Sequence, residues 1–231
     1  EGDCEPYVGV WRQSRAVAGA TLFAARRLVI ASEERDDARS RWRAAQERLR
    51  EAGVACAPPD EEEEEEEEES PPRAFPPSSP PPSPLAAVAP PPRAPLAVCW
   101  TGGRHHARAD RAAGFCFVND IVLAILEILR SAPTARVLYI DSDVHHGDGV
   151  AAAFSSSERV VTLSFHHASR GFFPGTGGVA DVGIGRGKHH DINVPLGRGV
   201  SDATFDEIFR RATSAVERAL RPTHIVWQCG A

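Results

Sequence analysis

The chain has 231 residues, with 26 basic and 32 acidic side chains and a formal net charge of −6, which is length enough for one globular domain of moderate size. The acidity is local: residues 58–95 hold ten acids against Arg73 and Arg93, leaving the other 193 residues at about +2. Composition therefore argues against a broad basic face for nucleic acid, and no run of about 18 apolar residues is present to span a bilayer.

Glu1-Gly2-Asp3-Cys4 has neither the basic nor the apolar stretch of a secretory leader. Five scattered cysteines (Cys4, Cys56, Cys99, Cys116, Cys229) form no CxxC pair and predict reduced thiols in a protein that is not secreted. There is no methionine, so the sequence is expected to be a piece of a longer chain.

In chain order, residues 12–32 predict a helix carrying Val17, Leu22, Phe23, Leu28 and Val29 among alanines. Residues 33–52 predict a second helix, dense in charge, with too few apolar residues for a core-facing stripe. A stretch of nine glutamates (61–69) and a Pro/Ser/Ala tract to Pro95 follow. That composition buries too little apolar surface to offset chain entropy and predicts a disordered acidic, proline-rich insert.

From Leu96 the pattern becomes strand and helix in alternation. Strands are predicted at residues 96–100, 136–141, 160–165 and 223–228, and helices at 120–129 and, capped by Ser201-Asp202, to about Leu220. Apolar strands alternating with helices predict an α/β fold, a parallel sheet with helices on both faces. The domain organisation read from this is 1–32, the first part of one domain; 33–95, charged helix plus insert; and 96–231, the central part of that domain. Parallel sheets carry their sites beyond the carboxyl ends of their strands, which is where the polar clusters fall.

Eight of nine histidines occur as tandem pairs. The richest stretch is Asp141-Ser-Asp-Val-His145-His146-Gly-Asp148-Gly. The two-residue period of extended chain puts Asp141, Asp143 and His145 on one side. An aspartate oxygen and a histidine nitrogen so spaced suit one divalent metal, typically zinc, which needs a third ligand and an open position for water. The competing reading, a solvated polar strand end, loses ground once the second cluster, Gly102-Gly-Arg-His105-His106, is counted. An imidazole there would serve as base beside a metal-bound water, with Asp141 and Asp148 as carboxylates to set its tautomer.

Gly103-Arg-His-His106, Gly114-Phe-Cys-Phe-Val-Asn-Asp120, Ile140-Asp-Ser-Asp-Val-His-His-Gly-Asp-Gly149 and Phe172-Phe-Pro-Gly-Thr-Gly177 together resemble the class I histone deacetylases of the arginase/deacetylase superfamily. The likeness runs continuously from Leu96 to Ala231, and the segment around Asp3-Cys4 resembles the one bearing the family's rim aspartate. The resemblance implies zinc-dependent hydrolysis of acetyl-lysine amides on histones or other proteins, releasing acetate. It implies Asp143 and His145 as two zinc ligands, His106 as general base, His105 as its electrostatic partner, and Asp141 and Asp148 as the carboxylates orienting His105 and His106. It implies Phe115 and Phe173 as walls of an acyl-lysine tunnel floored by Gly114, and Asp3 as the hold on the substrate backbone. A structural potassium ion would use Asp141, Asp143, His145, Ser164 and Phe165, and a second Phe154, Ser157, Val160 and His190. His190 stands where the family has an aromatic residue.

His166, His167, His189 and His224 are read as structural, and Cys116 as a small buried residue. The family's third zinc ligand, an aspartate after the Gly-Ala pair, and its oxyanion-stabilising tyrosine are not among these 231 residues, so the fragment is expected to be inactive alone. The resemblance further implies chromatin and transcription regulation, acetylated histone tails as substrates, a corepressor complex as partner, and residence in nucleus or cytoplasm. Deacetylation of acetylpolyamines or other small amides, and a non-catalytic scaffold, are the competing readings. A two-metal arginase-like hydrolase is disfavoured because Asp148 falls one place too far for an Asp-x-His-x-Asp pattern.

Overall fold

The structure is a computed structural model and describes residues 4–5, 7–51 and 94–230. The chain divides into two compact units, Glu1–Val29 with Leu96–Ala231, and Ile30–Pro95. Asp3 and the acidic, proline-rich insert predicted to be disordered lie outside the described residues.

In the first unit four strands, β1 (Val137–Asp141), β2 (Val160–His167), β3 (Asp191–Leu196) and β4 (His224–Gln228), form one parallel sheet in the order β3-β2-β1-β4. The two-residue strand period sorts β1 cleanly. Val137 and Tyr139 face one layer, with Ala25 and Val29 of helix α1 (Val10–Glu51), Ile121, Ile125 and Ile128 of α2 (Asp120–Ser131), and Val150 and Phe154 of α3 (Asp148–Phe154). Leu138 and Ile140 face the other, where α4 (Asp202–Leu220) lays Phe205, Ile208, Phe209, Ala212, Val216 and Leu220 across the sheet. Those six recur at helical spacing, so α4 has one apolar stripe and a polar outer side. Its start is set by Ser201, whose hydroxyl accepts from the Thr204 N–H. The expected parallel sheet with helices on both faces is present, and each fully buried isoleucine of α2 contributes about 1.5–3 kcal/mol.

Several local expectations are corrected. Residues 96–100 are not a strand: Leu96 and Trp100 are about nine-tenths exposed. An apolar run becomes a strand only where a ladder partner exists, and the described strands pair among themselves. The two helices expected at 12–32 and 33–52 are a single helix, α1, because a change from apolar to charged residues is no break where neither Gly nor Pro intervenes. β3 and α3 were not anticipated. β3 mixes Asp191, Asn193 and Pro195 into its sequence, and proline is tolerated there because β3 lies at the edge of the sheet formed by the described strands. In the second unit the described residues are helical to Glu51, with surface ion pairs Arg35–Asp36 and Asp37–Arg41, each worth little.

Helices α1 and α2 are tied by Glu127, whose Oε1 lies 2.8 Å from Arg26 Nε and 2.6 Å from an Arg130 guanidinium nitrogen. The hydrogen bond from Arg130, then that from Arg26, holds the Glu127 carboxyl down to about 2. A carboxyl depressed in the folded state contributes stability above its ordinary value near 4.5 and loses it as pH falls toward 2. Urea midpoints measured between about pH 5 and pH 2 should therefore fall less steeply for Glu127→Gln than for the unaltered chain; identical slopes would remove Glu127 from the acid response.

Candidate active site

The polar cluster forms where β1 and β2 end. Asp141 closes β1, and the chain continues as Ser142-Asp143-Val144-His145, with the Ser142 N–H donating to Gln228 O of β4 at 3.0 Å. The facing loop, Gly103 to Ala107, is hung from the start of α2. Asp120, completely buried, accepts the N–H groups of Gly103 (3.1 Å) and Arg104 (2.8 Å) and the Thr21 hydroxyl (2.7 Å). Asn119 caps α2 through the Val122 N–H and donates its amide to the carbonyls of His105 and Ala107. A helix cap thus also sets where the two histidines stand.

Both histidines are buried, and each spends its Nδ1 on a carboxylate. His105 Nδ1 lies 2.7 Å from Asp141 Oδ2, and His106 Nδ1 lies 2.7 Å from Asp148 Oδ1. With Nδ1 protonated and donating, each ring keeps its Nε2 lone pair for other chemistry. The rings lie 3.9 Å apart, tilted by 46°. Burial works against a charged His105 ring, but the hydrogen bond to Asp141 and the charges of Asp141, Asp143 and Asp148 outweigh it and raise its pKa above the ordinary value. At Asp148 burial favours the neutral acid, yet the hydrogen bonds from His106 and Arg108 prevail and the pKa is lowered. Arg108 reaches the second Asp148 oxygen at 2.6 Å. The buried Tyr139 hydroxyl donates to Asp141 Oδ2 at 2.5 Å. Burial first, then the Asp141 charge, raises its pKa well above the ordinary value, so it stays a donor.

Asp143 Oδ1 accepts the His145 N–H at 2.8 Å and lies 3.0 Å from His145 Nδ1. Two ligand atoms of a tetrahedral zinc, each bonded at about 2.0–2.1 Å, stand roughly 3.3 Å apart, so this oxygen and nitrogen suit adjacent corners of one site. They are two donors of the right kind; among the described residues no group of three His, Cys, Asp or Glu is gathered for a metal.

The remaining predicted residues fall in three places. Phe173 packs edge-on against His106 at 4.9 Å, and Gly114 lies under the same ring. Gly114 has φ +53, and a Cβ there would come within 2.3 Å of His106 Cδ2, so this position requires glycine. Phe115 is 72% exposed and lines a cavity of about 400 Å³ with Tyr7, Phe117 and Arg104. Of the potassium candidates, Ser164 bonds His166 Nδ1 at 3.0 Å and Phe165 is buried beneath α4. The carbonyl of Phe154 accepts the Ser157 N–H and that of His190 accepts the Thr162 N–H, while Val160 is buried on the α2 face.

The expectations from sequence omitted Arg108, Asn119, Asp120 and Tyr139. Asn-Asp ahead of an apolar run is a legible helix start and could have flagged the middle two. Nothing local marks Arg108 or Tyr139. His146 is half of a tandem pair, but burial, and then the His166 ring beside it, push its pKa down to about 4, so it is neutral near pH 7.

Residues 1–231 match the family model described as the histone deacetylase domain. The chain is 54% identical over 136 residues to histone deacetylase B of Dictyostelium discoideum, covering 59% of this chain and 32% of that protein. It is 50% identical over 135 residues to histone deacetylase 1 of Homo sapiens, covering 58% and 27%. It is 49% identical over 138 residues to histone deacetylase RPD3 of Saccharomyces cerevisiae, covering 60% and 31%. The chain thus spans about a third of the length of the curated relatives it matches.

Proposed function

This chain belongs to the histone deacetylase domain family, and on that footing we propose that it carries the acid–base half of a zinc-dependent hydrolase that removes acetyl groups from lysine side chains of histones or other proteins. The observation that supports the reading is the pair of buried His–Asp couples, 105–141 and 106–148, set side by side next to Asp143 and His145.

Asp143 and His145 would hold the zinc together with a third ligand from outside the present residues. When bound, the metal polarises the acetyl carbonyl and acidifies its water. His106 Nε2 takes the proton of the attacking water while Nδ1–H stays on Asp148, and the same ring returns that proton to the lysine amine as the C–N bond breaks. The new bond joins water oxygen to the acyl carbon, so the products are acetate and free lysine. His105, beside it and paired with Asp141, offsets negative charge developing in the transition state. Arg108 keeps Asp148 ionised and fixed. Phe173 and Gly114 border the His106 ring, giving the neutral acyl-lysine stem an apolar approach that excludes bulk water.

The same reading assigns structural potassium sites to the carbonyls around Ser164–Phe165 and around Phe154 and His190. It places the protein in nucleus or cytoplasm, acting on acetylated histone tails, with a corepressor complex as partner and transcription as the process affected.

The test is turnover of an acetyl-lysine histone peptide by two proteins: these 231 residues alone, and the same residues joined to the carboxyl-terminal part of Dictyostelium histone deacetylase B that follows its matched segment. The joined protein should release acetate, lose activity to a chelator, and regain it with zinc. The 231 residues alone should be inactive. A joined protein that folds and binds zinc yet releases no acetate would overturn the reading.

A further inference from the structure

Gly177 lies wedged between two imidazoles that the reaction above leaves unused. A Cβ on it would stand 2.6 Å from His166 Nε2 and 2.7 Å from His146 Cγ, and its φ is +84. Each ring grips the segment around it. His146 Nδ1 bonds the Thr176 hydroxyl at 2.8 Å. His166 donates from Nε2 to Gly177 O at 2.9 Å, and its Nδ1 accepts from the Ser164 hydroxyl at 3.0 Å. The other side is held by Asp181, which accepts the N–H groups of Gly177 (3.2 Å) and Gly178 (2.8 Å) and is itself anchored through its carbonyl to Asn193 of β3. Three side chains, His166 of β2 and His146 and Asp181 of two loops, therefore converge on a three-residue stretch that is itself on the surface apart from Gly177.

What that stretch carries explains the investment. Just before it come Phe172, stacked on His145 at 5.1 Å and 9°, and Phe173, edge-on to His106 at 4.9 Å. The aromatic cover over the ligand histidine and the base histidine is attached to an otherwise exposed loop.

We propose that His146 and His166 are positioning residues: they clamp Thr176 and Gly177 so that Phe172 and Phe173 lie on the rings of His145 and His106. What those two rings do in catalysis rests on the function proposed above; the clamp itself does not.

The test is made on the 231-residue chain, free of metal and substrate, by following the histidine ring protons by NMR and the exchange of the Gly177 and Gly178 amides. Thr176→Val removes the hydroxyl from an exposed residue without changing its shape, and Thr176→Ser restores it. The valine variant should speed exchange of both amides about tenfold, the loss of one hydrogen bond of ordinary strength. It should also move the His145 and His106 resonances while leaving His224 in place, and the serine variant should return them. His166→Gln, whose amide still donates toward Gly177 O, should stay close to the unaltered chain, and His166→Ala should resemble Thr176→Val.

Resonances of His145 and His106 that do not move, whether or not the amides exchange faster, would overturn the proposal. So would a shift shared equally by His224, which would report general loosening. No substrate enters the measurement, so a failed deacetylation assay and a failed clamp are told apart.

Discussion

Replacing His106 by alanine is expected to lower acetate release from an acetyl-lysine peptide by about 10²–10⁴-fold in the joined protein, the usual range for removing a positioned acid–base group. The expectation follows from what surrounds the ring. His106 has its Nδ1 committed to Asp148, which is in turn fixed by Arg108, so its Nε2 is free to carry a proton. The neighbouring His105 is less suited, since its Nε2 faces Asp143 Oδ1 at 3.8 Å. The measurement is kcat for the alanine variant against the unaltered protein, with thermal unfolding run alongside to show that the fold survives. A loss below about fivefold with the fold intact would take the base role away from His106.

The largest effect on stability is expected at Asp141. It is completely buried at the end of β1 and accepts from the Tyr139 hydroxyl, from His105 Nδ1 and from the Asp143 N–H. Asp141→Asn keeps the size of the side chain but replaces one acceptor oxygen by an NH2 that must face a donor. It also removes the charge that stabilises the His105 proton. Breaking a buried charge pair from one side costs about 3–5 kcal/mol, and in a chain of this size that lowers the unfolding midpoint by roughly 10 °C or more. Thermal and urea unfolding of the asparagine variant give the number. A change under about 1 kcal/mol would mean that the carboxylate is not the hub of this network. Tyr139→Phe, which removes one donor and leaves the charge, should cost distinctly less.

Much of the fold was legible because its signals are local. The strands predicted at 136–141 and 160–165 announce themselves by β-branched and apolar residues, the second running two residues further than expected, to His167, and Ser201-Asp202 announces α4 by its cap. β3 escaped because Asp191, Asn193 and Pro195 break the apolar pattern, and its strand state comes from the ladder with β2. Residues 96–100 erred in the opposite direction: an apolar run with no ladder partner among the described residues stays irregular.

The candidate site divides along the same line. By itself the sequence determined the residue types and their order: tandem histidines after a glycine pair, and the Asp-x-Asp-x-His stretch. The two-residue period predicts that this stretch runs extended, but β1 stops at Asp141 and residues 143–145 bend, so Asp143 meets His145 because its carboxylate accepts the His145 N–H. The family resemblance implied which carboxylate stands by which histidine; the tertiary structure is what brings each pair into contact, across 36 residues for His105 and 42 for His106. It also decided that Tyr139 and Arg108 complete those couples and that His146 and His166 face Gly177. The reason is physical. Periodicity and capping are properties of a few consecutive residues, whereas a hydrogen bond is set by distance and angle in space, and these depend on how β1, β2 and the loop before α2 pack together.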